Sequence, residues 1–215
     1  MALGNIFGNI FLPQEVRRRR MWAPHLPTWE ATKMLDSIDA VMQRLEPLLD
    51  DLDAIPREAH GMYQSYNPRH LIEHSPRAQA TCIYDHMVAE AERRFGQRDG
   101  VDTLDIRGLK LWVFDQHTVV RFKKMDEDGT TANYPTRQAQ DFDQNLELDG
   151  VPPKPIRVSV GYLLNPTGKA IQRVQIARPN GKKRVDWCAA IVPSEERENG
   201  GRLWEEVTKQ MRFGS

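Results

Sequence analysis

Ile156-Arg157-Val158-Ser159-Val160-Gly161-Tyr162 alternates residue by residue between apolar and small or charged side chains. A period of two is the mark of a strand with one buried face. The stretches that follow repeat the signal. Asn165-Pro166-Thr167-Gly168 reads as a turn, after which Val174 and Ile176 alternate with Arg173 and Gln175. Pro179-Asn180-Gly181 is a second turn, and Asn-Gly is a strong hairpin signal because both residues tolerate positive φ. Val185, Trp187 and Ile191 continue the pattern, which completes a three-stranded meander. Pro193 closes it, and Leu203, Trp204, Val207 and Met211 recur at three- and four-residue steps, predicting a closing C-terminal helix.

Upstream the period of two appears once more. Leu104 and Ile106, then Leu109, Leu111 and Val113, read as strand; Asp115-Gln116-His117 is a turn and Val119 to Lys124 the returning strand. Between the two β regions, Pro135 opens a short helix with Ala139, Phe142 and Leu146 on its inner face. The N-terminal half is helical. Met34, Leu35, Ile38, Val41, Met42, Leu45 and Leu48 form one amphipathic stripe, started at Thr28 or Ser37 and interrupted by Pro47. Residues 56–68 carry Pro56, Gly61 and Asn67-Pro68 and read as a connection. Ser75-Pro76 then starts a helix with Ala80, Ile83, Met87, Ala91 and Phe95 as its buried stripe, stopped at Gly96. The expected fold is α+β: N-terminal helices, an antiparallel sheet built from a hairpin and a three-stranded meander with helices on one face, and the closing helix. Residues 1–27 form an N-terminal arm and residues 28–215 one α+β domain, in which residues 149–155 are the best candidate for an internal linker.

At 215 residues the chain is long enough for a substantial core. It has no apolar run near the ~20 residues of a membrane span. Cys82 and Cys188 are two isolated thiols, which excludes a disulfide framework or Cys-rich zinc module and points to the cytoplasm. The 30 basic and 30 acidic residues balance overall but not locally. Residues 28–60 are net −5, whereas residues 151–192 carry eight basic groups against Asp186 alone. Strand alternation puts Arg157, Ser159, Arg173, Gln175, Arg184 and Asp186 on the face opposite the core, with Arg178, Lys182 and Lys183 along one edge. The binding surface expected is therefore Arg157, Arg173, Gln175, Arg178, Lys182, Lys183 and Arg184. Its partner is an acidic macromolecule, a nucleic-acid backbone or an acidic protein, since the face has no aromatic rings to stack bases. Arg17 to Arg20 extend the basic character at the other end of the chain. The leading function is a non-enzymatic binding or regulatory protein, in homo- or hetero-oligomeric form, with no cofactor.

Two alternatives involve metal-dependent hydrolysis. Glu90 or Glu92 on a helix, Asp105 and Asp115 beside strands and Lys123 on the next strand give an order similar to the restriction-endonuclease-like core. The resemblance implies carboxylates that hold a metal and a lysine that steadies developing charge. It departs from that pattern at position 121, where Arg stands in place of the acid of a Glu-x-Lys pair. His70-Leu-Ile-Glu73-His74 matches the spelling of the inverted zinc-peptidase motif, with His70 and His74 as ligands and Glu73 as base. Asn67-Pro68 and Ser75-Pro76 bracket that motif within a few residues, too tightly for the long helix such enzymes use.

Overall fold

A computed structural model describes residues 37–131, 136–198 and 200–208. The N-terminal arm with Arg17 to Arg20 lies outside them. Ser37 caps the first helix, α1 (Ile38–Leu45), its Oγ accepting from the Ala40 amide. A 3₁₀ turn at Glu46–Leu48 leads into α2 (Leu49–Gln64). The connection expected over residues 56–68 is thus helical as far as Gln64, with Pro56 inside the helix. An internal proline costs about 3 kcal/mol. Leu52, Ile55, Ala59 and Tyr63 are all buried on the inner face of α2, and helices in proteins are held mainly by such burial. Asn67 caps the short α3 (Pro68–Glu73). Helix α4 (Pro76–Phe95) follows the sequence closely: Ser75 Oγ accepts from Ala78, Gly96 ends the helix, and Ile83, Met87, Ala91 and Phe95 are buried.

Seven strands form one mixed sheet in chain order: β1 (Val101–Ile106), β2 (Leu109–Phe114), β3 (Thr118–Lys124), β4 (Ile156–Leu164), β5 (Ile171–Pro179), β6 (Val185–Ile191) and β7 (Trp204–Glu206). All neighbours are antiparallel except β3 and β4, which run parallel from Thr118↔Ile156 to Lys124↔Tyr162. Helix α5 (Arg137–Asp143) lies in the crossover between them. A parallel pair requires a long return connection, and residues 125–155 supply it. Gly161 is needed at this seam, because a Cβ there would stand 1.9 Å from the carbonyl oxygen of Lys123.

The antiparallel hairpin and meander are parts of a single seven-stranded mixed sheet. The segment read as the closing helix contains β7, which pairs with β6 at Ala189↔Glu206 and Ile191↔Trp204. Leu146 lies beyond the end of α5 and is 48% exposed. Both faces of the sheet are covered, not one. On the first face Trp112, Phe122, Val158, Val160, Tyr162, Val174, Ile176 and Trp187 pack against α1, α2 and α4. On the second, Leu109, Leu111, Val113 and Val119 pack with Phe142 of α5. Val185 belongs to a third group with Met125, Ala177 and Cys188, because the β5–β6 register shifts between Arg178 and Pro179 and turns it away from Trp187.

An ion-pair hub joins α2 to α4. Arg94 reaches Asp51 (2.7 Å), Glu58 (2.7 Å) and Glu90 (2.6 Å), and Glu90 also pairs with Arg93. Burial raises the pKa of Glu90, yet the two guanidinium hydrogen bonds win and hold it well below the usual carboxylate range. No helix among the described residues is long and apolar enough to cross a membrane.

Trp187 is 6% exposed within the main core. Replacing it with Ala is expected to cost about 3–5 kcal/mol, read as a shift in the urea unfolding midpoint. A loss under about 1 kcal/mol would contradict this packing.

Candidate anion-binding site at the basic hairpin

Arginine on the second face of the sheet is the starting point. Arg121 stands in the apolar run of β3 and is 1% exposed. Its Nε donates to Ser159 Oγ of β4 (2.8 Å), and its Nη2 pairs with Asp143 at the end of α5. Its guanidinium carbon lies 4.3 Å from the centroid of the Phe142 ring. Burial lowers the Arg121 pKa and Asp143 opposes that shift. Arg157 approaches the same ring at 5.7 Å and donates to the carbonyls of Asp141 (2.9 Å) and Leu146. Arg121 and Arg157 thus clamp α5 onto the sheet.

This placement divides the expected binding surface. Arg157 (3% exposed) and Gln175 (0%) are buried, so neither belongs to an open face. The physical reason is that α5 and the loop after β3 cover that face. Gln175 donates to the Asp126 carbonyl (2.7 Å), and Arg173, half-buried, bonds Gln175 Oε1 (2.8 Å) and the Glu127 carbonyl (2.7 Å). Arg178 pairs with Asp186 at 3.4 Å. Lys182, Lys183 and Arg184, at the β5–β6 turn, are exposed and make no ion pair among the described residues.

The turn sits over the buried arginine. Gly181 donates its amide to the Asp143 carbonyl (2.6 Å), and Asn145 Nδ2 donates to the Pro179 carbonyl (3.3 Å). A recess of about 20 Å³ remains between the turn and the sheet, with Arg121, Asp143, Ser159, Thr130, Lys183 and Arg184 among its walls.

The hydrolytic residues are not brought together. Glu90 is committed to its two arginines, and Glu92 is exposed. Asp105 accepts from the Gly108 amide (2.8 Å) and pairs with Lys110 (3.1 Å), which together hold its pKa low. Asp115 (φ 48°) is in the turn before β3, whereas Lys123 is near the end of that strand, roughly 17 Å further on at about 3.3 Å per residue. His70 and Glu73 are exposed on α3, with Glu73 paired to Arg69 (2.9 Å). His74 follows the helix in an extended conformation and meets Tyr63 Oη through Nδ1 at 3.2 Å, so the two histidines do not share a helical face. His74 instead lines an open cleft of about 770 Å³, with Tyr63, Leu71, Ile72, Lys124 and Lys169. The described residues contain no group of three or more His, Cys, Asp or Glu placed to hold a metal ion.

Sequence reasoning missed Asp143, Ser159 and Phe142 as partners of Arg121. The signal available was a lone charge inside Val119-Val120-Arg121-Phe122, on a strand otherwise apolar at that point. No family model, curated protein or solved structure matches the chain.

Lys123 lies beside this cluster, its Nζ 5.2 Å from the Tyr84 ring centroid. Burial, then the Arg121 charge, lowers its pKa from 10.5 to about 8, with Asp143 opposing. The unfolded chain therefore holds more protons on this lysine between pH 8 and 10.5, and its contribution to stability rises with pH across that window. The difference in unfolding free energy between wild type and Lys123→Met should move in favour of wild type from pH 8 to 10.5. A pH-independent difference, measured by urea unfolding at both ends of the window, would contradict it.

Proposed function

We propose that this protein is a non-enzymatic, cytoplasmic binding protein of a regulatory kind that holds an acidic partner on its β5–β6 hairpin. The observation that carries the reading is the contrast in how the cations are used. Arg57, Arg69, Arg93, Arg94, Arg98, Arg121 and Arg197 all have carboxylate partners within the protein. Lys182, Lys183 and Arg184 have none among the described residues; exposed Arg107, Lys154 and Lys169 have none either but stand singly, whereas these three are consecutive at one turn. Three adjacent cations held on a two-stranded ribbon suit a regularly charged polyanion. A nucleic-acid backbone fits best, because the residues at this turn supply charge and hydrogen bonds but no ring on which a base would stack. The contact is therefore with phosphates and independent of sequence. The hydrolase reading has no comparable support: Glu90 and Asp105 are paired with cations of the protein itself, and the described residues hold no group of three or more metal-ligating side chains.

A labelled 20-base-pair duplex followed by fluorescence anisotropy tests this. With three phosphates neutralised, affinity should fall about forty-fold between 50 and 200 mM salt. The triple variant Lys182→Gln, Lys183→Gln, Arg184→Gln should lose binding and its salt dependence while its stability stays within about 0.5 kcal/mol. Unchanged duplex binding by the folded variant would overturn the proposal, and retention of poly-glutamate but not the duplex would reassign the partner to an acidic protein.

A further inference from the structure

We infer that the recess beneath the β5–β6 turn is a pocket for one oxyanion group, a phosphate, which enters between Lys183 and Arg184 and reaches Arg121 at its floor. The inference rests on the hairpin being the docking surface and says what it docks.

Arg121 is the observation that carries it. The guanidinium has five N–H donors, and two of its nitrogens are spent on Ser159 and Asp143. Nη1 is buried and has no hydrogen-bond partner. Leaving a charged donor unpaired in the interior is costly. Arg121 is itself one of the walls of the recess, whose volume of about 20 Å³ takes one water-sized atom, so an acceptor placed there stands beside the guanidinium. The remainder of a phosphate would stay at the mouth. Charge selects an anion over a neutral acceptor: Arg121, Lys183 and Arg184 bring three positive charges to the recess, and Asp143 returns one negative charge. Ser159, whose Oγ accepts from Arg121, keeps its own hydroxyl proton to donate to another oxygen of a tetrahedral anion. The recess is also anchored. Asp143, Gly181 and Asn145 tie the turn to α5, so the three cations do not need to be gathered when the anion arrives.

The shared chemistry is a phosphate oxygen, which a free or terminal phosphate and a backbone phosphodiester both supply. Titration with inorganic phosphate at constant ionic strength, balanced with sodium chloride, is the first arm. Wild type should show a saturable rise in Tm and a saturable ³¹P shift. Lys183→Gln/Arg184→Gln should weaken the apparent affinity at least tenfold without changing Tm in chloride alone. Arg121→Lys keeps a charge for Asp143 but removes the second donor arm, and should weaken phosphate by a similar factor. Should that variant fail to fold, the paired variant Arg121→Gln/Asp143→Asn, which removes both buried charges together, takes its place. The second arm compares the duplex with and without 5′-phosphates: tighter binding of the phosphorylated form assigns the pocket to terminal phosphate, and equal binding that both variants weaken assigns it to the backbone. Chloride and phosphate acting alike on wild type would overturn the pocket, as would phosphate binding indifferent to Arg121→Lys or its substitute. If duplex binding still depended on Lys182, Lys183 and Arg184 in either case, the hairpin reading would stand alone; loss of both would remove both.

Discussion

A guanidinium inside a β-sheet has to be neutralised and hydrogen-bonded where it stands, and the placing of Arg121 imposes that requirement on everything above it. The residue is 1% exposed in the middle of the sheet. One carboxylate, Asp143, one hydroxyl, Ser159, and one aromatic face, Phe142, meet most of that requirement and leave only Nη1 without a partner. Removing one member of such a buried pair typically costs 3–5 kcal/mol, since the other charge is left without compensation. The short helix Arg137–Asp143 has only Ala139 and Phe142 buried, too little apolar surface to hold it by itself. Its position depends on the arginines beneath it.

The two faces of the sheet are consequently held by different physics. Apolar burial dominates the first, where the side chains of α1, α2 and α4 meet Trp112, Phe122 and Tyr162. On the second, hydrogen bonds from Arg121, Arg157, Arg173 and Gln175 add to the apolar contacts of Phe142, four of them to backbone carbonyls of the covering segments. Carbonyl acceptors carry no charge to repel or be screened, so this attachment depends little on ionic strength. The hairpin cations outside are exposed, and any interaction they make is sensitive to salt.

Much of the architecture was legible because local chemistry and tertiary structure agreed. Ser75-Pro76 and Gly96 bound α4 as caps do anywhere, and the alternation from Ile156 to Tyr162 required a strand. Where reading failed, the same residues support two structures. Pro56 breaks an isolated helix, yet a buried one survives it. Leu203, Trp204 and Val207 fit a helical spacing, but three residues pairing with β6 satisfy them as well. The site was the least legible part. Arg157 and Gln175 alternate with apolar residues and look like a solvent face; a buried polar side chain whose partners lie inside the protein has the same sequence pattern as an exposed one. What separates them is a covering helix that comes from elsewhere in the chain. Lys182, Lys183 and Arg184 were readable as exposed because an Asn-Gly turn leaves its flanking residues no element to pack on.

The single parallel seam has a bearing on how the chain reaches this structure. Strands β1 to β3 and β4 to β6 are joined by connections of at most six residues and pair with sequence neighbours, so each group is expected to form quickly from contacts close in the chain. The seven-residue pairing from Thr118↔Ile156 to Lys124↔Tyr162 is different, since it must close the loop of residues 125–155 before any of its bonds can form. Docking of the two strand groups is therefore the expected slow step, and it brings Arg121 beside Ser159. The polar cluster on the second face assembles only at that moment, which makes it a marker for completion of folding.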